Sequence, residues 1–164
     1  MNYKKYLLIG IPILFIVGSI FHFLYELSGS NILIGLITPI NESIWEHLKL
    51  LFTPMTIYWI VYLFINPDIS HGRWLFSLFV AIIFAMLTVV SFYYVYTGAF
   101  EFESLILDIF SLLLGLTVGQ LIGSHFYTYG FDVPIIVSKA LIIILFVLFI
   151  IFTFFPPSLP IFQS

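Results

Sequence analysis

Residues 134 to 155 read PIIVSKALIIILFVLFIIFTFF, an apolar run in which Lys139 is the one charged side chain. A helix needs about 20 predominantly apolar residues to cross the roughly 30 Å hydrocarbon layer of a membrane. This run reaches that length, and Pro134 suits the first turn of a helix, where an N–H group is not needed. The stretch therefore predicts a membrane-spanning helix rather than part of a water-soluble core.

Four more apolar stretches of similar length precede this one. Segments rich in Gly, Asn, Pro and Ser separate them and favour turns, including one at Thr97-Gly98. The composition agrees, since 62% of the residues are hydrophobic, 8% are charged and the mean hydropathy is +1.20. We expect an all-α, polytopic transmembrane bundle of about five helices that forms a single integral membrane domain over residues 1–164. The predicted spans are Tyr6 to Leu27, Ser43 to Ile65, Trp74 to Tyr96, Ser104 to Tyr127 and Pro134 to Phe155.

The basic residues predict an orientation. Lys4, Lys5, Arg73 and Lys139 all fall at one face if the N-terminus is inside, and basic residues accumulate in cytoplasmic loops. We therefore expect an N-in, C-out, multi-pass protein of the cell membrane, with the lipid bilayer as its main partner. Nucleic acid is not an expected partner, because five basic and eight acidic residues spread over apolar helices form no basic patch.

The polar stretch at residues 41–49 reads NESIWEHLK and places four ionisable groups at the start of the second predicted span. Ser43 and Glu46 have the spacing of a capping box, in which each side chain satisfies a free backbone N–H. Lys49 lies about two turns into the span, so it needs Glu42 or Glu46 as a partner, or a route to the interface. The residues expected to serve structure or charge pairing are Lys49, Asn41 and Trp45, the last as an interfacial anchor.

Several ionisable residues are predicted to lie at the same depth, in the outer half of the bundle. Such groups inside a membrane are costly, and they are usually paired or functional. The chain has no cysteine, so a metal would need histidine and carboxylate ligands. The candidate ligands for zinc or a similar divalent ion are His22, His47, Glu26, Glu42 and Asp108. Glu46, as general base, and Ser43 are the candidate catalytic residues.

Two further patterns bear on packing. Residues 30–40 are apolar but too short to span, so this segment is expected to re-enter the outer leaflet or lie at its interface, between the first two helices. Gly115, Gly119 and Gly123 form a doubled small-xxx-small pattern that lets another helix approach closely. That helix could belong to the same chain or to a second copy in a homo-oligomer.

The segment from Gly35 to Leu50 contains the string NESxWEHxKL, and HFLYE precedes it at residues 22–26. Together these resemble an uncharacterised family of small bacterial integral membrane proteins. The resemblance implies a bacterial membrane protein, and it supplies no established activity.

Three functions remain open from the sequence. The preferred hypothesis is a metal-dependent intramembrane hydrolase that acts on a lipid or another membrane-soluble small molecule. The alternatives are a transporter or proton relay for a small solute or ion, and an accessory membrane subunit without catalysis whose polar residues only pair charges.

Overall fold

A computed structural model of the protein describes residues 2–163, which fold into helices joined by turns. Five segments are long and apolar enough to cross a membrane, the second being Ile44–Ile65. The all-helical class and the five predicted spans are thus confirmed. The elements are α1 (Tyr3–Leu27), α2 (Ile32–Gly35), α3 (Ile44–His47), α4 (Lys49–Ile65), α5 (His71–Phe100), α6 (Leu105–Tyr129), α7 (Ile135–Phe154) and a 3₁₀ turn at Pro160–Phe162.

The second span is divided at Leu48. The N–H of Leu48 is shared between the carbonyls of Ile44 and Trp45, at 3.1 and 3.2 Å, a bifurcated bond that is common at helix ends. The division leaves a short polar helix, α3, in front of the long apolar α4.

Helix α5 is longer than its predicted span, and the prediction of a turn at Thr97-Gly98 is wrong. The helix continues through Gly98 to Phe100 and ends where Glu101 adopts a left-handed backbone with φ 58°. A glycine inside a helix costs only about 1 kcal/mol relative to alanine, so one glycine near a helix end does not stop it.

Small residues bring α5 and α6 together. A Cβ added to Gly119 would lie 2.7 Å from the carbonyl oxygen of Ala81, and one added to Gly115 would lie 3.0 Å from that of Ala85. At Gly123 an added Cβ would meet the Ala81 methyl group at 2.8 Å. The glycine stripe therefore serves close packing within this chain.

Helix α4 lies centrally, with Met55 and Trp59 fully buried. Helix α1 packs beside it where a Cβ on Gly18 would lie 3.1 Å from the carbonyl oxygen of Leu50. Pro54 has no N–H to donate to that carbonyl, so the Leu50 carbonyl lacks its usual partner within the helix. The contact sets the last turns of α1, which carry His22, next to the start of the second span.

The segment between α1 and α3 folds back onto α4 and does not span. Its one helix, α2, has four residues. Thr53 Oγ1 of α4 donates to the carbonyl of Ile37 at 2.9 Å, and Lys49 Nζ donates to that of Gly35 at 2.7 Å. Side chains of the second span thus satisfy backbone carbonyls at and just beyond the end of α2, which lipid could not satisfy.

Candidate metal centre

Three side chains converge at the end of the bundle where α1 finishes and α3 begins. His22 Nε2 lies 2.9 Å from His47 Nε2, and Glu42 Oε2 lies 3.7 Å from the former and 3.4 Å from the latter. Within residues 2–163, these are the His and carboxylate groups close enough together to share one ion.

The local sequence explains how His47 is aimed. Ser43 caps α3, since its Oγ accepts a hydrogen bond from the Glu46 N–H at 3.4 Å, and Asn41 Oδ1 accepts one from the Ser43 N–H at 2.9 Å. The capping box is therefore half formed. One turn later, His47 Nδ1 lies 3.0 Å from the Ser43 carbonyl oxygen. A carbonyl can only accept, so Nδ1 carries the proton and Nε2 keeps its lone pair for the site.

The three ligand atoms fit a tetrahedral ion with one position left open. Zinc with nitrogen and oxygen ligands at about 2.0–2.2 Å needs those atoms about 3.3–3.5 Å apart. The separation of 3.4 Å matches that value, that of 3.7 Å is slightly longer, and the 2.9 Å between the two histidine nitrogens is about 0.4 Å shorter. The circle through the three ligand atoms has a radius of about 2.0 Å. An ion placed slightly above the centre of this circle would therefore lie at an ordinary zinc distance from each atom.

The site is accessible from outside the protein. The side chains of His22 and His47 are 31% and 27% exposed, and that of Glu42 is 74% exposed. Structural zinc sites are enclosed by four protein ligands, whereas catalytic sites have three and admit water or substrate. An ion held by these three residues would keep a fourth position open to the outside.

Two of the five predicted ligands are not part of this group. Glu26 is exposed and lies one turn beyond His22, in the last turn of α1. Asp108 lies in the first turn of α6 and accepts a hydrogen bond from Tyr96 Oη of α5 at 2.6 Å. The structure therefore brings together His22, His47 and Glu42, and it places Glu26 and Asp108 outside their cluster.

Glu46 and Lys49 form a separate, buried ion pair. Their side chains are 2% and 1% exposed, and Lys49 Nζ lies 2.7 Å from Glu46 Oε2. Lys49 also donates to the carbonyls of Gly35 and Thr38, at 2.7 and 3.3 Å. Of the two partners expected for Lys49, the structure selects Glu46.

The carboxylate of Glu46 is engaged at both oxygens. Oε2 also accepts from the backbone N–H of Ile40 at 3.0 Å, and Oε1 accepts from Thr153 Oγ1 of α7 at 2.7 Å. Trp45 packs nearby against Phe149 and Phe162, with ring centroids 4.9 and 5.0 Å away. The face of α3 that carries Glu46 is thus held to α7 and to the chain end.

No sequence pattern indicated the part played by Thr153 or by the Gly35 and Thr38 carbonyls. A hydroxyl inside an apolar helix usually bonds to its own helix backbone, as Thr153 also does through the Phe149 carbonyl at 2.8 Å. Backbone carbonyls carry no sequence signal at all. The buried charges of Glu46 and Lys49 were the available hint that further partners had to exist.

The whole chain, residues 1–164, matches a family of unknown function, DUF6512. The protein therefore belongs to this family, which confirms the expectation of an uncharacterised family. No match is found among curated proteins or among solved structures. Any assignment of function consequently depends on the residues of the chain itself.

Proposed function

We propose that this member of DUF6512 binds one divalent transition-metal ion, zinc in the first place, through His22, Glu42 and His47. We further propose that the ion activates water to hydrolyse a lipid or another membrane-soluble substrate. The observation that carries the proposal is the triangle of ligand atoms with sides of 2.9, 3.4 and 3.7 Å.

The donor set favours zinc over harder cations. Imidazole nitrogen is a good ligand for zinc and its neighbours in the first transition row, whereas magnesium and calcium prefer oxygen alone. Two histidines with one carboxylate and an open position form a ligand set known from hydrolytic zinc enzymes.

The open position supports hydrolytic chemistry. A bound zinc ion lowers the pKa of its water ligand to about 7, which yields a nucleophile at neutral pH, and it can polarise a substrate carbonyl. His22 and His47 would hold the ion, and the exposed Glu42 would complete the set at the accessible side. The substrate then approaches from the side where these three residues are exposed.

Glu46 and Ser43 take supporting roles in this proposal, although the sequence placed them among the catalytic candidates. Both oxygens of Glu46 already accept hydrogen bonds, and its side chain is 2% exposed. Ser43 caps α3, and its carbonyl orients His47. Both residues would act by holding His47 in place, as outer-shell groups do in metal sites.

A membrane-soluble substrate is favoured by the surface next to His22. The outer side of α1 carries a depression of about 470 Å³ that is lined by Ile20, Phe23, Leu27 and Glu26. Three of these side chains are apolar and more than half exposed. An acyl chain could lie on them while its polar end reaches the ligand triangle within one or two turns of the same helix.

Metal analysis of the purified protein tests the binding step. The chain has four histidines, of which His71 and His125 lie outside the triangle and provide matched controls. The protein is purified through a tag without histidine, loaded with zinc and dialysed. We expect one zinc per chain in the wild type and in His71→Ala and His125→Ala, and loss of zinc in His22→Ala and His47→Ala. An equal zinc content in all four variants would contradict the proposal, as would none in the wild type.

The hydrolytic step needs a separate measurement. Zinc-loaded protein in nanodiscs is incubated with a mixture of ester and amide lipids, and the products are identified by mass spectrometry. We expect products that disappear on chelation, return with zinc, and are absent for His47→Ala but present for His71→Ala. Stoichiometric zinc without zinc-dependent products would support a metal site and reject hydrolysis of these substrates.

A further inference from the structure

A second recognition site is indicated at the opposite end of the bundle. A groove of about 250 Å³ lies between α1 and α6, and its lining includes Lys4, Leu8, Gln120, Leu121, Ser124 and Thr128. Lys4 and His22 are separated by about 27 Å along α1, at 1.5 Å per residue, so the groove is remote from the metal centre. We propose that this groove binds the headgroup region of an anionic phospholipid from the surrounding leaflet.

One residue of the groove wall has a buried hydrogen-bond donor without a partner in the described part of the chain. Gln120 is 1% exposed, and its Nε2 atom makes no hydrogen bond among residues 2–163. The orientation of its amide is determined, because Trp59 Nε1 can only donate and lies 2.9 Å from Oε1. The NH₂ group therefore points to the α1 side, where a Cβ on Gly10 would lie 2.9 Å from it.

A buried donor left unsatisfied costs about 1–3 kcal/mol, so an acceptor is expected at this place. Gln120 is itself part of the groove wall. Phosphate and ester oxygens of a phospholipid are acceptors of the required kind. The unpaired amide thus points to an oxygen-bearing ligand in the groove rather than to a purely apolar one.

The basic residues at this end of the bundle favour a negatively charged ligand. Lys4 lies at the mouth of the groove, and the polar groups of Ser124 and Thr128 follow along α6. Lys5, Arg73 and Lys139 lie near the N-terminal ends of α1, α5 and α7, at the same end of the bundle, and of these Arg73 is paired with Asp132. This end therefore carries four of the five basic residues of the chain, and basic residues near a membrane surface attract anionic lipids.

The size of the groove and the apolar side chains around it favour a ligand that is only partly enclosed. The groove is smaller than the roughly 300–1,000 Å³ of pockets that enclose a small ligand, so it would hold only part of its occupant. Leu8 and Leu121, on its two walls, are 53% and 51% exposed. Acyl chains could extend along this outward apolar surface while the phosphate lies beside Lys4, on the wall to which Gln120 belongs.

Native mass spectrometry with two lipids of identical acyl chains tests the proposal. The protein in detergent is titrated with phosphatidylglycerol or phosphatidylcholine, and retained lipid is measured. We expect one retained phosphatidylglycerol, bound about fivefold or more tightly than phosphatidylcholine. Lys4→Gln should remove this preference, whereas Lys5→Gln, which removes the same charge outside the groove lining, should keep it.

Ser124→Leu provides a second variant, because it fills the groove without removing a charge, and it should abolish retention of the anionic lipid. Equal binding of the two lipids, equal effects of the two lysine variants, or full retention by Ser124→Leu would each overturn the proposal. Displacement of the lipid by an equal concentration of inorganic phosphate would also overturn it, in favour of a soluble anion. Unfolding midpoints of all variants are compared with the wild type, so that loss of binding is not mistaken for loss of fold.

Discussion

The polar stretch at residues 41–49 divides between two clusters with opposite properties. Glu42 and His47 join His22 in a group whose side chains are 74%, 27% and 31% exposed. Glu46 and Lys49, from the same stretch, are 2% and 1% exposed, and hydrogen bonds engage both carboxylate oxygens and the ammonium group. Burial with complete bonding is typical of a structural cluster, whereas the exposed first cluster, with its ligand atoms facing each other, is the candidate metal site.

Helix geometry produces this division. Successive residues of a helix are rotated by about 100°, so Glu46 and His47 point in different directions although they are adjacent. Glu46 and Lys49, three residues apart, share the face that packs inwards. A conspicuous sequence motif can therefore serve two purposes, and the role of each of its residues has to be determined separately.

The largest effect is expected from breaking the buried pair. Lys49→Met leaves the Glu46 charge without its cation, and removal of one partner of a buried pair costs about 3–5 kcal/mol. The free energy of unfolding, measured by denaturant titration in detergent micelles, should fall by this amount. Lys5→Met, at an exposed position, is the control and should change it by less than about 0.5 kcal/mol. A loss below about 1 kcal/mol for Lys49→Met would mean that the pair does not support the fold.

Glu42→Gln should affect metal binding and leave stability unchanged, the reverse of Lys49→Met. The side chain of Glu42 is 74% exposed, so unfolding should change by less than about 0.5 kcal/mol. Zinc affinity, measured by competition with a chelating dye, should fall by about 100-fold or more, because outer-shell changes alone typically cost 10–100-fold. A variant that keeps its zinc affinity would remove Glu42 from the site.

Ser43→Ala tests the boundary between the two clusters. The change removes the cap of α3 and should cost about 1 kcal/mol of stability. His47 is oriented by the backbone carbonyl of this residue, which the substitution keeps, so zinc affinity should change by only a few-fold. A loss of affinity as large as that of Glu42→Gln would indicate that the Ser43 hydroxyl itself takes part in the site.

The smallest effect is expected at the exposed ion pair of Arg73 and Asp132, whose atoms Nη2 and Oδ2 are 2.9 Å apart. A hydrogen bond from Arg73 lowers the pKa of Asp132 below its ordinary value of 3.8. The folded state is therefore favoured slightly above that pH, and this contribution is lost as the pH falls further. Asp132→Asn should leave the unfolding midpoint at pH 7 almost unchanged and flatten its decline below about pH 4. A midpoint shift at pH 7 as large as that of Lys49→Met would erase the contrast between exposed and buried pairs.

Part of the candidate site could be predicted from the chain alone. His22, Glu42 and His47 were recognisable because ionisable groups in an apolar chain are costly, and because the predicted spans set them at one depth. Glu26 and Asp108 met the same criteria and nevertheless lie outside the triangle, since depth does not specify the side of a helix that meets its neighbours. Asp108 accepts a hydrogen bond from Tyr96 of α5 instead.

The sequence alone predicts the class of the protein, the number of spans and close packing at the glycine stripe, either within the chain or between two copies. These depend on length, hydropathy and spacing, which are local properties of the chain. The tertiary structure adds that the glycine stripe packs against Ala81 and Ala85 and that Lys49 pairs with Glu46. It also shows that Thr153, 107 residues from Glu46, completes this network. The physical reason is that contacts between helices depend on their rotation and on side-chain reach, which no local pattern encodes.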